Sequence, residues 1–200
     1  MAQGPLVAAV AVQRGVAGYL GKNDQGALNV SPSLYASSLA GVVGFAANQT
    51  GATTSVALAT TYTGLVLSNP AASGKNLSLL RVAGICNVAP AAFTAVGLIT
   101  GWLAAGITVH TTPITLLNAN VGLGVTGLVA KVDAAATLVG TPAWARWLTE
   151  SIAATGEFQF DENVNGEIVI PPGGYVAIGT LIGGPTAGLL ASFTWAEISV

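Results

Sequence analysis

From Ala46 onward the chain alternates apolar and polar residues in short runs separated by Gly, Pro, Asn and Ser. This is the period-two pattern of half-buried strands, at the spacing of sandwiches and barrels. In TSVALATTYTGLVLSN, Val56 and Leu58 share one side of a pleat, and Leu65 and Leu67 follow a turn-like TTYTG. The turn formers of SNPAASGKN, Ser68 to Asn76, predict a loop. A strand follows in LSLLRVAGICNVA, with Leu77, Leu79 and Arg81 on one face and Ser78, Leu80 and Val82 on the other. AFTAVGLITGW reads as the next strand. In GITVHTTPITLLNANVG, Pro113 marks an edge or a bulge, because proline cannot donate to a ladder. A further strand is expected over Gly124 to Val132.

TPAWARWLTESIAATG departs from this pattern. Thr141 in a capping position, Pro142 at a first helical position and Trp144, Trp147 and Leu148 at helical spacing predict either a short helix or an aromatic-rich connection. Strands resume in GEFQF, GEIVI, GYVAIGT and ASFTWAEISV. Pro171 and Pro172 end one strand and Gly173 and Gly174 permit the turn, so GEIVIPPGGYVAIGT reads as a hairpin. Residues 1–45 are irregular, with Arg14, Lys22 and Asp24 among Gly and Ser breakers, and read as an extended N-terminal arm or as an edge strand with loops. The expected architecture is all-β: an irregular arm over 1–45 and a jelly-roll-like β-sandwich over 46–200, with roughly eight strands in two sheets.

Composition sharpens this picture. Hydrophobic residues make up 52% of the chain and charged residues 7%, with a net charge of −2. A soluble domain is usually about a quarter charged, so this surface is built from Thr, Ser, Asn, Gly and Ala. Such a surface suits packing against other subunits, since little charge opposes association. A basic footprint for nucleic acid is lacking, and so is a polybasic signal for anionic lipid. The single cysteine, Cys86, excludes an intramolecular disulfide framework and reads as a small buried hydrophobe. Val88 to Val109 is long enough to span a bilayer. Against a span stand Pro90, the Thr and Gly of TAVGLITG, the missing basic flanks and the helix-hostile Pro171 to Gly174 run elsewhere in the chain. No membrane helix is therefore expected. The N-terminus lacks a basic region ahead of its apolar run, so no secretory signal is expected either.

Candidate chemistry is sparse. SNPAASGKN departs from a phosphate loop at Asn69, where the first Gly belongs, and at Asn76, where the magnesium-binding hydroxyl belongs. Asp161, Asn163, Asn165 and Gly166 match the first half of a calcium loop, but Pro172 stands where the bidentate Glu is needed. The competing reading is an Asn-Gly hairpin turn between EFQF and EIVI. His110, the single histidine, has no nucleophile elbow to serve and reads as structural. Glu150, Glu157, Asp161, Glu162 and Glu167 cluster in sequence, and paired carboxylates can hydrolyse glycosides. A solvated loop face explains them equally well. No catalytic, cofactor-binding or metal-binding residue is assigned, and no cofactor is expected.

TYTGLVLSNPAASGKNLSLLRVAGICNVAPAAFTAVGLITG, IVIPPGGYVAIGT and the terminal SFTWAEI together resemble a family of structural proteins from tailed bacteriophages. The likeness covers about residues 46–198 and leaves out the arm. It implies a β-sandwich virion component and carries over no catalytic residue. The function expected on this basis is that of a capsid decoration or cement protein on the virion surface. It would be a homotrimer bound to the major capsid protein, with no nucleic-acid or membrane partner. The alternative is a receptor- or carbohydrate-binding module of a tail or head fibre, presenting Trp102, Trp144 and Trp147.

Overall fold

A computed structural model describes residues 21–22, 28–29, 34–48, 51, 53–54, 57–90, 92, 94–106, 109–110, 112–151, 158–182 and 188–200. Most of the expected arm, together with Val56 and Glu157, lies outside the described residues. In chain order the elements are β1 (Gly21–Lys22), β2 (Leu28–Asn29), α1 (Leu34–Leu39), β3 (Val43–Ala47), β4 (Thr61–Ser68), β5 (Lys75–Cys86) and β6 (Thr94–Trp102). Then come β7 (Val109–His110), β8 (Leu117–Asn118), a 3-10 turn (Val121–Leu123), β9 (Lys131–Thr137) and β10 (Ala143–Ser151). The chain ends with β11 (Gln159–Asn163), β12 (Val169–Ile170), β13 (Gly174–Thr180) and β14 (Leu189–Ser199).

The protein is an all-β sandwich of two antiparallel sheets. The first sheet runs β11-β5-β14-β3-β8, with β12 also on β5. The second runs β10-β6-β13-β4-β9-β7. The pairing is nested: β3 pairs β14, β4 pairs β13, β5 pairs β11 and β12, and β6 pairs β10. Residues between β6 and β10 widen the sandwich, β8 extending the first sheet beyond β3 and β9 and β7 extending the second beyond β4.

Alternation in the long strands makes the core. Leu77, Leu79, Val82, Leu189, Phe193 and Trp195 of the first sheet meet Leu65, Leu67, Val96, Leu98, Val176 and Ile178 of the second. A smaller cluster of Tyr62, Val66, Ile99, Ala136, Leu138, Tyr175 and Ala177 covers the outer face of the second sheet. Every residue of β13 is consequently buried, which explains why GYVAIGT is apolar on both faces.

Four aromatic residues stand directly opposite glycines in the ladders: Phe160 on Gly84, Trp195 on Gly44, Trp147 on Gly97 and Tyr175 on Gly101. In each case the ring occupies the space a Cβ would need. A Cβ on Gly44 would come within 2.6 Å of Trp195 Cζ2, and one on Gly97 within 2.9 Å of Trp147 Cε3. The same holds for Gly84 against Phe160 and for Gly101 against Tyr175. A ring laid over a cross-strand glycine covers backbone that glycine leaves bare and fixes the register.

Several local expectations change. Ala143–Ser151 is a strand and not a helix. Two register breaks reconcile strand with helical spacing: the first, at Ala145, sets Trp144 opposite Ile99 and Trp147 opposite Gly97. Those partners are two residues apart, so both rings fall on one face. TTYTG is not a turn, because Thr61–Gly64 already belongs to β4, which bulges between Thr63 and Val66. The strand expected over Gly124 to Val132 begins only at Lys131, since Gly124 and Gly127 take positive φ of 59° and 86° and turn the chain. In β5, Trp195 lies opposite Leu79 and Thr194 opposite Arg81, so Leu80 is an extra residue. That bulge turns Val82 inward and Arg81 out, contrary to simple alternation from Leu77. A helical turn, α1, falls within the stretch read as irregular, and β3 enters the first sheet from Val43.

GEIVIPPGGYVAIGT is a corner between sheets, because β12 pairs β5 in the first sheet while β13 pairs β4 and β6 in the second. Asn69 holds this corner. Its side-chain amide donates to the Ile170 and Lys75 carbonyls at 2.9 and 2.7 Å. Its backbone exchanges bonds with Gly173 and Gly174. Gly173 sits at φ 87°, and its missing Cβ lets the Leu103 carbonyl approach. EFQF and EIVI likewise form no hairpin, for β11 and β12 both run antiparallel to the same strand.

Glu197 ties together the same end of the sandwich, next to this corner. Its side chain is fully buried and accepts from the backbone N–H groups of Val129 and Ala130, from Trp195 Nε1 and from Lys75 Nζ at 3.0 Å. Lys75 also donates to the Gly127 carbonyl at 2.6 Å. A buried carboxylate with this many donors is compensated, but deleting it strands the donors. Glu197→Ala is expected to lower unfolding free energy by about 3–5 kcal/mol in urea titrations. A loss below about 1 kcal/mol would contradict the assigned role.

Candidate functional site

Among the described residues of the acidic cluster, Asp161, Glu162 and Glu167 each face a guanidinium. Asp161 projects from β11 and pairs through both oxygens with Arg81, Nε lying 2.6 Å from Oδ1 and Nη2 contacting Oδ2. The Arg81 guanidinium holds the Asp161 carboxyl below the usual carboxylate range, and Asp161 raises Arg81 in return. On the next position the strand reverses its face, and Glu162 joins Glu167 on Arg146 at 3.4 and 3.1 Å. Arg146 belongs to β10, so these contacts cross the open edge between the two sheets. Pairs this exposed are screened by solvent and add little to stability. Their arrangement is that of an edge clasp, with each carboxylate turned to a guanidinium and no two set as an acid-base pair.

Asp161 stands in a strand with its oxygens engaged, so it does not take the first ligand position of a calcium loop. Among the described residues no group of three or more His, Cys, Asp or Glu is placed to hold a metal ion. His110 lies in β7, opposite Ala136. Cys86 is buried, with Sγ 2.7 Å from the Val88 carbonyl. In SNPAASGKN, Asn69, which stands where a phosphate loop has its first Gly, is committed to the corner, and the side chain of Lys75 is committed to Glu197.

The tryptophans divide. Trp144 and Trp147 stack with ring centroids 4.5 Å apart and planes at 28°. They lie on the outer face of the second sheet, over Gly97 and Gly179. Trp102 has the opposite parity in β6, and its Nε1 donates to the Pro172 carbonyl at 2.8 Å, so it does not join them. It stands instead at the loop end of the sandwich beside exposed Leu103.

Two surfaces were not anticipated. The outer face of the first sheet carries an open depression of ≈ 860 Å³ among Ala47, Ala83, Ile85, Gln159, Leu190 and Ser192. Near β8, exposed Leu39, Leu117, Val121, Leu123 and Val125 come from segments joined by Asn118, whose amide donates to the Gly41 carbonyl at 2.7 Å. The lack of any charge between Arg81 and Lys131 was the sequence signal for the second surface. The first is built from four strands distant in sequence, β3, β5, β11 and β14, and had none. The stretch weighed as a membrane span, 88–109, contains β6, and among the described residues no helix is long and apolar enough to cross a membrane.

Fold and surface together define an all-β sandwich with exposed apolar residues and a charged clasp at one edge. No family model, curated protein or solved structure matches the chain.

The clasp gives a pH prediction. Asp161 is depressed in the folded protein, so its contribution is present above its unfolded pKa and is lost as pH falls through the folded value. Arg81→Ala is expected to move the Asp161 carboxyl midpoint up toward the ordinary value in an NMR titration. An unmoved midpoint would assign the depression to something other than Arg81.

Proposed function

We propose that this protein is a structural subunit of a tailed-bacteriophage virion, and specifically a capsid decoration or cement protein. In this reading it sits on the capsid surface as a homotrimer and binds the major capsid protein lattice. The carrying observation is the stretch from residue 82 to 130, which has no charged residue and exposes Ile85, Val88, Trp102, Leu103, Leu117, Val121, Leu123 and Val125. Apolar surface of this extent favours a protein that is covered by partners in its working state. Repetition of modest contacts by symmetry then stabilises a shell through mass action and multivalency.

We read the nested pairing of β3 with β14, β4 with β13, β5 with β11–β12 and β6 with β10 as a jelly roll. Jelly rolls serve in viral capsids and in lectins alike. The fold therefore supports the proposal without deciding it, and the resemblance of residues 46–198 to phage structural proteins tips the choice. A second reading, a carbohydrate-binding module, is favoured by the stacked Trp144 and Trp147, of which Trp147 is half exposed.

The test is to mix purified protein with undecorated capsid shells and image them by cryo-electron microscopy. We expect density at regular sites on the head and greater resistance of the shells to heat. Density at the tail alone, or glycan binding that disappears in Trp144→Ala and Trp147→Ala proteins, would overturn the cement reading in favour of the fibre module.

A further inference from the structure

We infer that Asn165–Gly166 is a latent self-modification site, able to form a succinimide and held inactive by the hydrogen bonds that seat it on the β5 bulge. It is the one Asn-Gly pair in the chain, and Asn165 is exposed. The chemistry needs no partner but water. The Gly166 backbone nitrogen, once deprotonated, attacks Asn165 Cγ. The new C–N bond closes a five-membered imide and Nδ2 leaves as ammonia. Water then opens the imide, at the side-chain carbonyl to give aspartate or at the main-chain carbonyl to give isoaspartate, whose peptide link runs through Cγ. Glycine favours the attack because no Cβ shields its nitrogen.

In the folded protein that nitrogen is occupied. Gly166 N–H donates to the Leu79 carbonyl at 2.8 Å, and the N–H groups of Val164 and Asn165 both donate to the Leu80 carbonyl, at 2.8 and 3.0 Å. Leu80 is the residue that bulges opposite β14, and its carbonyl receives this loop from the β11 side. Leu79 N–H returns a bond to the Ile168 carbonyl at 3.0 Å. With Asn165 and Gly166 fixed at φ of 52° and 83°, the nitrogen neither gives up its proton nor swings over Cγ until the loop lifts off β5. The reaction rate in the native state is then the open-chain rate multiplied by the open fraction.

The product cannot reseat as before. Isoaspartate lengthens the main chain by one atom between bonds that are fixed to adjacent carbonyls. Either product adds a negative charge beside Asp161, Glu162 and Glu167, which share only Arg81 and Arg146 among the ion pairs described. The modification therefore records, irreversibly, that the β11–β12 edge has opened.

The experiment incubates the full-length protein in mildly alkaline buffer, with and without unfolding concentrations of urea. Deamidation and isoaspartate at Asn165 are followed by peptide mass spectrometry. Conversion in urea is expected to run at least about tenfold faster than in native buffer. Arg81→Ala, which removes the partner of Asp161 on β11, should raise the native rate several-fold and leave the urea rate unchanged. Equal rates with and without urea, no conversion in urea, or a native Arg81→Ala rate no faster than the parent's would each overturn the inference.

Discussion

The sandwich depends on aromatic rings laid across glycines of the neighbouring strand. Glycine in a strand normally costs about 0.5–1 kcal/mol, through backbone entropy and the absence of a side chain to pack. Gly44, Gly84, Gly97 and Gly101 avoid much of that penalty because Trp195, Phe160, Trp147 and Tyr175 cover them. Two of these pairs face the core of the first sheet and two the outer face of the second. Shifting either partner by one residue would send its ring to the opposite face. Ring and glycine together thus set register in both sheets, which lets a chain with 26 glycines hold long, regular strands.

A second constraint follows from the scarcity of charge. Strand ends and corners still present backbone donors and acceptors that must be satisfied. Here buried amides do much of this. Asn48 accepts from Ala191 N–H at 2.6 Å and donates to the Leu189 carbonyl at 2.7 Å, prolonging the β3–β14 ladder with its side chain. Asn69 binds the corner between sheets and Asn118 the turns near β8. Glu197 is the charged member of the set and is enclosed by donors. With polarity spent internally, little remains for the surface, and the apolar faces that motivate the capsid proposal are the other side of the same economy.

How far this was legible in the sequence depended on the range of the interaction. Period-two alternation identified most of the strands and the all-β sandwich, because alternation is a property of a single strand. It misread places where a residue is inserted. Arg81 was put with Leu79, and Trp144, Trp147 and Leu148 took helical spacing, since a bulge is defined only against the partner strand. The Pro-Pro-Gly-Gly run was recognised as a stop and a turn, which was right locally. Whether the chain then returns to the same sheet or crosses to the other depends on contacts with distant segments, those of Asn69 among them. The acidic cluster showed its charges but not Arg81 and Arg146, which come from distant strands. The depression on the first sheet joins β3, β5, β11 and β14 and leaves no local trace.

The most direct test of ring-on-glycine pairing is a double-mutant cycle on Gly84 and Phe160, read by urea unfolding. Gly84→Ala alone should destabilise by about 1–3 kcal/mol, because the new methyl meets the Phe160 ring. In a Phe160→Leu background the same change should be close to neutral, giving a coupling of about 1 kcal/mol or more. Equal cost in both backgrounds, or a neutral Gly84→Ala in the parent, would contradict the view that these rings need glycine beneath them.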